Sequence, residues 1–490
     1  IHSPCFSASQ SMHKKGNIGV FQMKKLQHIR LREGSKADQF LSGQLTSKYF
    51  SYQEIFAMLV PLIFDQFFIS VIALLTTAMI SSSSQESVSA VSLVSPLYMM
   101  IYAVYSAISS AGTVIIAQYK GHGDEEKMKK AAGQIVMFTF ATAVVFSVLL
   151  ILFAEPLIRT MFAGADELII RKATDYLIGC AFSFIFLSVY MGGFAVFRGI
   201  GETQICLRLS MVINLIHLFA SFVFINMMKL DIIGTALSLN LARCIGGALA
   251  MYYLLSPKSK LKILWKDIFS VDHEILKSVV NTSLPFAMEQ LCFNGGGIIV
   301  SMFIVKLGTE SIAANAVSNS TLMVFYSMGL AVSNLSVTIV GQCIGAKDKK
   351  MARYYGKKMV WLGEVSILVS LAALLPFLRI ILKLYQAPEN TLGQIYMLLA
   401  IAFVPMALLW STSNVLPNVL RAAGDVNFTS YVSLITMWLI RVGYSYAVSM
   451  KLSFGIEGVW ICMGVEWLIR SVIFIMRFHS DRWLNQKTAV

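Results

Sequence analysis

The sequence predicts an all-α membrane protein with twelve transmembrane helices in two parallel pseudo-symmetric six-helix bundles. Three observations predict it. The chain of 490 residues is 57% apolar and only 13% charged, with a mean hydropathy of +0.69. Twelve separate stretches are long and apolar enough to cross a bilayer, each near the roughly 20 residues that about 30 Å of hydrocarbon demands. The second half of the chain also repeats the first at a nearly constant offset. An ordinary soluble domain carries about a quarter charged residues, so this chain lacks the material for a water-facing surface.

Taken in order, the predicted spans of the first half lie near 52–80, 88–117, 132–153, 174–196, 206–227 and 232–255. Those of the second half lie near 282–305, 312–341, 359–382, 394–418, 428–449 and 456–477. Gly and Pro inside them are tolerable where neighbouring helices satisfy the freed backbone groups. The runs are too long and too little alternating for an outer-membrane barrel. Before the first span, residues 1–47 form a basic tail that is expected to be disordered or to lie on the inner leaflet, with no signal-peptide pattern. The first bundle is assigned to 48–256 and the second to 282–478. Between them, 257–281 is basic and amphipathic, with Ile263, Leu264, Trp265, Ile268 and Phe269 as its apolar side, and is expected to form an interfacial helix. A short tail, 479–490, follows.

The net charge of +14 is distributed by loop parity. Cations cluster in the amino-terminal tail (Lys14, Lys15, Lys24, Lys25, Arg30, Arg32) and after spans 2, 6, 8 and 12. The loop between spans 1 and 2, Ser81 to Glu86, has none. The positive-inside bias then puts both termini of this multi-pass protein in the cytoplasm, and a plasma (bacterial inner) membrane is the expected location. Nucleic-acid binding, the rival explanation of a basic chain, would gather the cations on one face, so no nucleic-acid partner is expected. Seven cysteines show no metal spacing, and their odd number speaks against a disulfide framework.

The repeat is the most informative feature. At an offset of 224, Pro61, Gln66, Glu86, Ser87, Gln118, Gly121 and Asp124 fall on Pro285, Gln290, Glu310, Ser311, Gln342, Gly345 and Asp348. From 61 to 124 there are 14 identities in 64 positions. Apolar bias alone would match Leu and Ile, not Pro, Glu, Gln, Gly and Asp. At 223, Arg198-Gly-Ile-Gly-Glu202 falls on Arg421-Ala-Ala-Gly-Asp425. Six spans per half is an even number, so the halves insert in the same sense, related by an axis along the membrane normal. Two such bundles enclose a cleft, and rocking one against the other exposes it to each side in turn. That geometry points to a transporter of small molecules within the lipid bilayer.

Asp65 is the first candidate for its chemistry. It lies about 20 Å of helix rise beyond the start of span 1, where a carboxylate costs about 2.5–3.5 kcal/mol on insertion scales. It should therefore face a wet cavity or a partner. There it is suited to taking up a proton and releasing it when a cationic substrate arrives; the alternative is a plain hydrogen bond to a neighbouring helix. Thr76, three turns on, shares its face. Glu289 is its repeat partner and is assigned the same role, with Gln66, Gln290 and Asn294 as neutral polar contacts. The run Asn294-Gly-Gly-Gly297 either loosens span 7 or allows close packing. Arg441 and Glu466 are expected to form a structural intramembrane pair, with Arg470 as a competing cation. Arg243 and Glu364 have no partner that the sequence identifies. Gly121 and Gly345 are expected to end spans 2 and 8, and Arg198 and Arg421 to fix the connections that follow spans 4 and 10.

The two halves, the QxxGxxD segments Gln118–Asp124 and Gln342–Asp348, the RxxG[ED] segments at 198 and 421, and the late Gly455-Ile-Glu-Gly-Val-Trp460 together resemble the MATE (multidrug and toxic compound extrusion) family. The resemblance runs from about residue 50 to 480. It implies a two-lobed antiporter, acting as a monomer, that expels organic, often cationic, compounds in exchange for H+ or Na+. Many members carry an Asp where this chain has Thr76, and several a Glu where it has Phe293, so the family's usual coupling residues do not transfer. No cofactor or metal is implied. The absence of GxxxxGK[ST] leaves no P-loop ATPase, and no Ser/His/Asp or HExxH constellation suggests an enzyme. A lipid or polysaccharide flippase of the related superfamily is the alternative.

Overall fold

The computed structural model describes residues 35–80, 84–162, 164, 166–257, 259–385 and 389–490. The cations expected at Lys14 to Arg32 lie outside the described residues. The chain divides into two compact units, Ile1–Ala57 and Met58–Val490. In the first, the tail expected to be disordered or to lie on the inner leaflet contains a helix, α1 (Lys36–Leu45), capped by Ser35, whose hydroxyl accepts from the Asp38 amide at 3.2 Å. Tyr52 returns a hydroxyl to Asp38 of this helix.

Helices α2 (Tyr52–Ile80), α3 (Gln85–His122), α4 (Glu125–Met161), α5 (Glu167–Gly199), α6 (Thr203–Ser221) and α7 (Asp231–Leu255) form the first bundle. The linker supplies a short helix, α8 (Trp265–Phe269), and its residues 273–281 already belong to the helix that opens the second bundle. The second bundle holds α9 (His273–Lys306), α10 (Thr309–Gly345), α11 (Lys349–Leu374), α12 (Leu378–Leu384), α13 (Leu392–Ala422), α14 (Val426–Thr436) and α15 (Gly455–His479). Among the described residues no strand occurs. Among the described residues, eleven helices are long and apolar enough for a crossing. The twelfth, 426–451, is helical throughout but passes from α14 into π turns at Met437–Tyr444 and Ala447–Lys451. The corresponding helix of the first bundle ends likewise, α6 continuing as the π turn Phe222–Met227.

The apolar stretches underestimate the helices because polar, capped turns extend them at either end. Asp124 opens α4 by accepting the Lys127 amide at 3.0 Å, and Asp348 opens α11 by accepting that of Met351 at 3.1 Å. These are the aspartates of the two QxxGxxD segments. The left-handed residues that break the chain before them are Gly123 and Lys347, not Gly121 and Gly345. Further left-handed pairs recur at the repeat offset: Gly201 with Gly424, Lys229 with Ser453, and Asp231 with Gly455. Ser109 donates to the Met191 carbonyl at 3.0 Å, and its repeat partner Ser333 donates to that of Asn414 at 2.9 Å. The repeat is therefore one of backbone and hydrogen bonds, not of composition.

Within the first bundle α5 is central, packed by α3, α4 and α7; in the second, α10 and α13 take that place. The bundles meet through α3 against α9 and α10. At one end the approach is close enough to need glycine. A Cβ on Gly121 would lie 1.9 Å from the Gln342 carbonyl oxygen, and one on Gly345 would lie 1.9 Å from that of Gln118.

Candidate functional site

The closed end is built from repeated polar residues. Gln118 donates through Nε2 to the Ala422 carbonyl at 2.9 Å, and Gln342 donates to the Gly199 carbonyl at 3.2 Å. Each glutamine thus ties its own half to the RxxG turn of the other. Glu202, the acid of the first turn, pairs with Lys260; Asp425, that of the second, pairs with Arg477 at 2.7 Å. The chain's last residues reach the same end, where the Ala489 amide donates to Gln118 Oε1 at 2.8 Å. The connections after spans 2, 6, 8 and 12, which carry the clustered cations, therefore gather here. The opposite end holds the turn before α3, where Ser84, Ser87 and Lys172 surround the Asp231 carboxylate.

Asp65 sits on α2 and is 2% exposed. Ser210, Gln66 and the Arg198 guanidinium are the polar groups around it, yet its Oδ1 is buried without a hydrogen-bond partner among the described residues. Arg198, at the end of α5, stacks its guanidinium over the Phe194 ring at 4.6 Å and donates through Nη1 to Asn334 of α10 at 3.2 Å. Its carbonyl accepts the Thr338 hydroxyl at 2.8 Å. Arg198 thus touches both lobes beside an unsatisfied carboxyl.

The second lobe treats the equivalent residues differently. Glu289, 4% exposed on α9, receives Arg421 Nη2 on both oxygens at 2.6 Å and the Ser430 hydroxyl at 2.8 Å. The rest of the Arg421 fork is held by Thr429 and Asn418, each at 3.1 Å. Glu289 is fully matched where Asp65 is not. Sequence reasoning gave the two acids one role and missed both arginines as their neighbours; the recurrence of Arg198 and Arg421 at the repeat offset was the available signal.

Of the neutral candidates, Gln66 and Gln290 are half-buried, and Asn294 donates to the Gln290 carbonyl at 2.8 Å along its own helix. Thr76 lies on α2, with its side chain outside the described residues. Helix α9 runs unbroken through Gly295–Gly297. There a Cβ on Gly296 would meet Met437 at 2.8 Å, while Gly295 and Gly297 face open space. The Arg441–Glu466 pair is formed at 2.5 Å, and Arg470 approaches the other oxygen of Glu466 at 3.4 Å, so both cations share one acid. Glu364 Oε1 is buried without a hydrogen-bond partner among the described residues. Among the described residues no cluster of three His, Cys, Asp or Glu side chains could hold a metal ion.

A cavity of about 1000 Å3 opens between the bundles near the closed end. Gln118 of α3, Asn281, Pro285 and Met288 of α9, and Ser430 of α14 line it, and Gln486–Ala489 border it. Through Ser430 it reaches within one side chain of Glu289.

Comparison with known proteins places this architecture. The MatE family model matches residues 61–223 and 285–447, once in each half. An uncharacterized transporter of Bacillus subtilis, YisQ, is 26% identical over 84% of this chain and 91% of its own length. The probable multidrug resistance protein NorM of Thermotoga maritima is 21% identical over 84% of this chain and 89% of its own. Among solved structures, a MATE protein in complex with MaL6 superposes with a TM-score of 0.82 at 17% identity, covering 91% of this chain and 99% of that one. A MOP superfamily transporter from Pyrococcus furiosus gives 0.81 at 18%, covering 93% and 100%.

Proposed function

The chain belongs to the MATE family of multidrug efflux transporters, and from that premise we propose that it is a secondary antiporter coupled through Asp65. It exports organic amphipathic compounds by alternating access in exchange for H+ or Na+. The observation that carries this reading is the state of Asp65: buried, inside a span, short of a hydrogen bond, and beside an arginine tied to the opposite lobe. Ionised Asp65 competes with Asn334 for Arg198. When a cation occupies the carboxyl, Arg198 is released to Asn334 and the Gln118/Gln342 end closes. Ion binding thereby biases which side of the cleft is open, which is what coupling requires.

Gln66 and Thr76 in the first lobe, and Glu289, Gln290 and Asn294 in the second, line the route in this reading. A cationic cargo, expected from the sequence, is supported by Asp65; Glu289 adds little, since Arg421 already neutralises it. Bacterial relatives support an inner-membrane location, and the cation-rich connections at the closed end support a cytoplasmic placing of that end and of both termini. The protein is taken to act as a monomer.

Purified protein in liposomes with an imposed proton or sodium gradient and ethidium as cargo tests the proposal. Gradient-driven ethidium movement is expected in the wild type and a loss of about tenfold or more in Asp65→Asn. Unchanged movement in Asp65→Asn would remove the coupling assignment. Movement indifferent to any gradient would remove antiport, and gradient-independent movement of lipid analogues would favour a flippase.

A further inference from the structure

Among the described residues, Arg243 is a buried cation that no carboxylate matches. It lies on α7, 5% exposed, in the interior of the first lobe. Its Nη1 donates to the Ser183 hydroxyl at 2.5 Å and its Nη2 to the Tyr98 hydroxyl, both neutral groups. The guanidinium lies 5.4 Å from the Tyr98 ring centroid and 5.6 Å from that of Phe184. Among the described residues the other buried arginines each have an acid, Glu289 for Arg421 and Glu466 for Arg470, and half-buried Arg198 lies in the field of Asp65. Among the described residues no ion pair includes Arg243.

A guanidinium inside a membrane protein is expensive, and one held only by hydroxyls and ring faces recovers part of that cost. What it lacks is a negative charge. Its surroundings suit an amphipathic molecule carrying one. Tyr98 and Tyr102 stack at 6.3 Å, and Phe184 lies 5.6 Å from both Tyr98 and Tyr105, so an aromatic wall runs along α3 and α5 beside the charge. Tyr98 and Tyr102 are only half-buried, so part of the wall is left uncovered by the protein itself.

We propose that Arg243, with the hydroxyls of Ser183 and Tyr98, binds the acidic group of the transported compound, so that the cargo of this protein includes amphipathic organic carboxylates. The planar fork of arginine donates two parallel hydrogen bonds to a carboxylate, which a lysine cannot reproduce. The ring faces take the apolar body of the cargo. This proposal rests on the transport reading above and adds the chemical class of what is carried.

Two measurements keep the two readings separable. The first is equilibrium binding to purified protein, by fluorescence anisotropy, of fluorescein, an aromatic carboxylate, with benzoate as competitor and ethidium as a cationic reference. The wild type is expected to bind fluorescein and to release it to benzoate. Arg243→Gln is expected to lower the fluorescein-to-ethidium affinity ratio roughly 10- to 100-fold, the range for a charge-assisted hydrogen bond. Arg243→Lys should lower it less, and Ser183→Ala, which removes one neutral contact, a few-fold. A wild type that does not bind fluorescein overturns the proposal, as does an unchanged ratio in both Arg243→Gln and Ser183→Ala, the result of a purely structural role. The second measurement is gradient-driven movement of both probes in liposomes. If the wild type binds fluorescein but moves neither probe, the transport reading fails while the binding site stands.

Discussion

Arg198 donates to Asn334 at 3.2 Å, so the cation that neighbours Asp65 in the first lobe is tied to α10 of the second. Coupling on this route needs that tie. A hydrogen bond to a charged group contributes about 1.5–3 kcal/mol, and 1.4 kcal/mol is a factor of ten in an equilibrium. Asn334→Ala should therefore shift the balance of the lobes toward opening of the Gln118/Gln342 end by roughly tenfold. Cys343, 1% exposed at that end, reports it. Its alkylation, followed by mass spectrometry, should rise by about that factor. An unaltered rate would mean that the Gln118 and Gln342 contacts hold the end without Arg198.

Those contacts depend on two glycines. A Cβ on Gly345 would lie 1.9 Å from the Gln118 carbonyl oxygen, a backbone atom that cannot swing aside. Gly345→Ala, and Gly121→Ala by the same geometry against Gln342, should force α3 and α10 apart. Efflux should fall about tenfold or more in each. Gly295→Ala is the control, because nothing lies within 4 Å of its Cβ. It should leave efflux intact and leave thermal stability equal or raised by up to about 1 kcal/mol. Equal losses in all three would mean that helix flexibility, not lobe contact, is what the glycines supply.

How far the sequence carries the argument can be judged at these same residues. Offset identities made Gly121 and Gly345 visible, and the repeat placed them at matching ends of spans 2 and 8. Their partners could not be read, because a contact between α3 and α10 leaves no periodicity in either helix. Gly123 and Lys347 share a left-handed backbone but not a residue type, so the true turn position was hidden in the second half. Twelve spans were legible from apolar length. The π turns of 437–451 were not, since the same residues satisfy an α pattern. Asp65 was found from the cost of charge in lipid, and Glu289 from its place at the repeat offset. Their different states follow from the Arg421 fork closing on one and the Asn334 contact drawing Arg198 toward the other lobe, and both are tertiary.

Glu289 and Arg421 make the clearest stability prediction. Both side chains are below a tenth exposed, and the pair is held at 2.6 Å on two oxygens. Removing one partner of such a pair leaves a buried charge unmatched, at about 3–5 kcal/mol. Glu289→Gln and Arg421→Gln should each lower the melting temperature in detergent substantially. The double variant should recover much of the loss, giving a coupling of roughly 1–3 kcal/mol in the cycle. Additive losses would show that the two charges act independently.

Glu466 differs in answering two cations at once, Arg441 at 2.5 Å and Arg470 at 3.4 Å. Glu466→Gln strands both guanidinia, whereas Arg441→Gln strands nothing, because Arg470 still balances the acid and Arg441 is the more exposed of the two. Glu466→Gln should therefore destabilise the protein more, by about 3–5 kcal/mol against about 1–3. Arg470 also lies 5.6 Å from the ring centroid of Phe293, so the phenylalanine is a cation–π platform at the edge of this network. A carboxylate placed there would be a second counter-charge within reach of Arg470. Phe293→Glu should accordingly restore part of the melting temperature lost in Glu466→Gln, and Phe293→Ala should restore none. If Phe293→Glu deepens the loss, Arg470 is held by the Ser413 carbonyl and the Ser433 hydroxyl too firmly to turn toward a new partner.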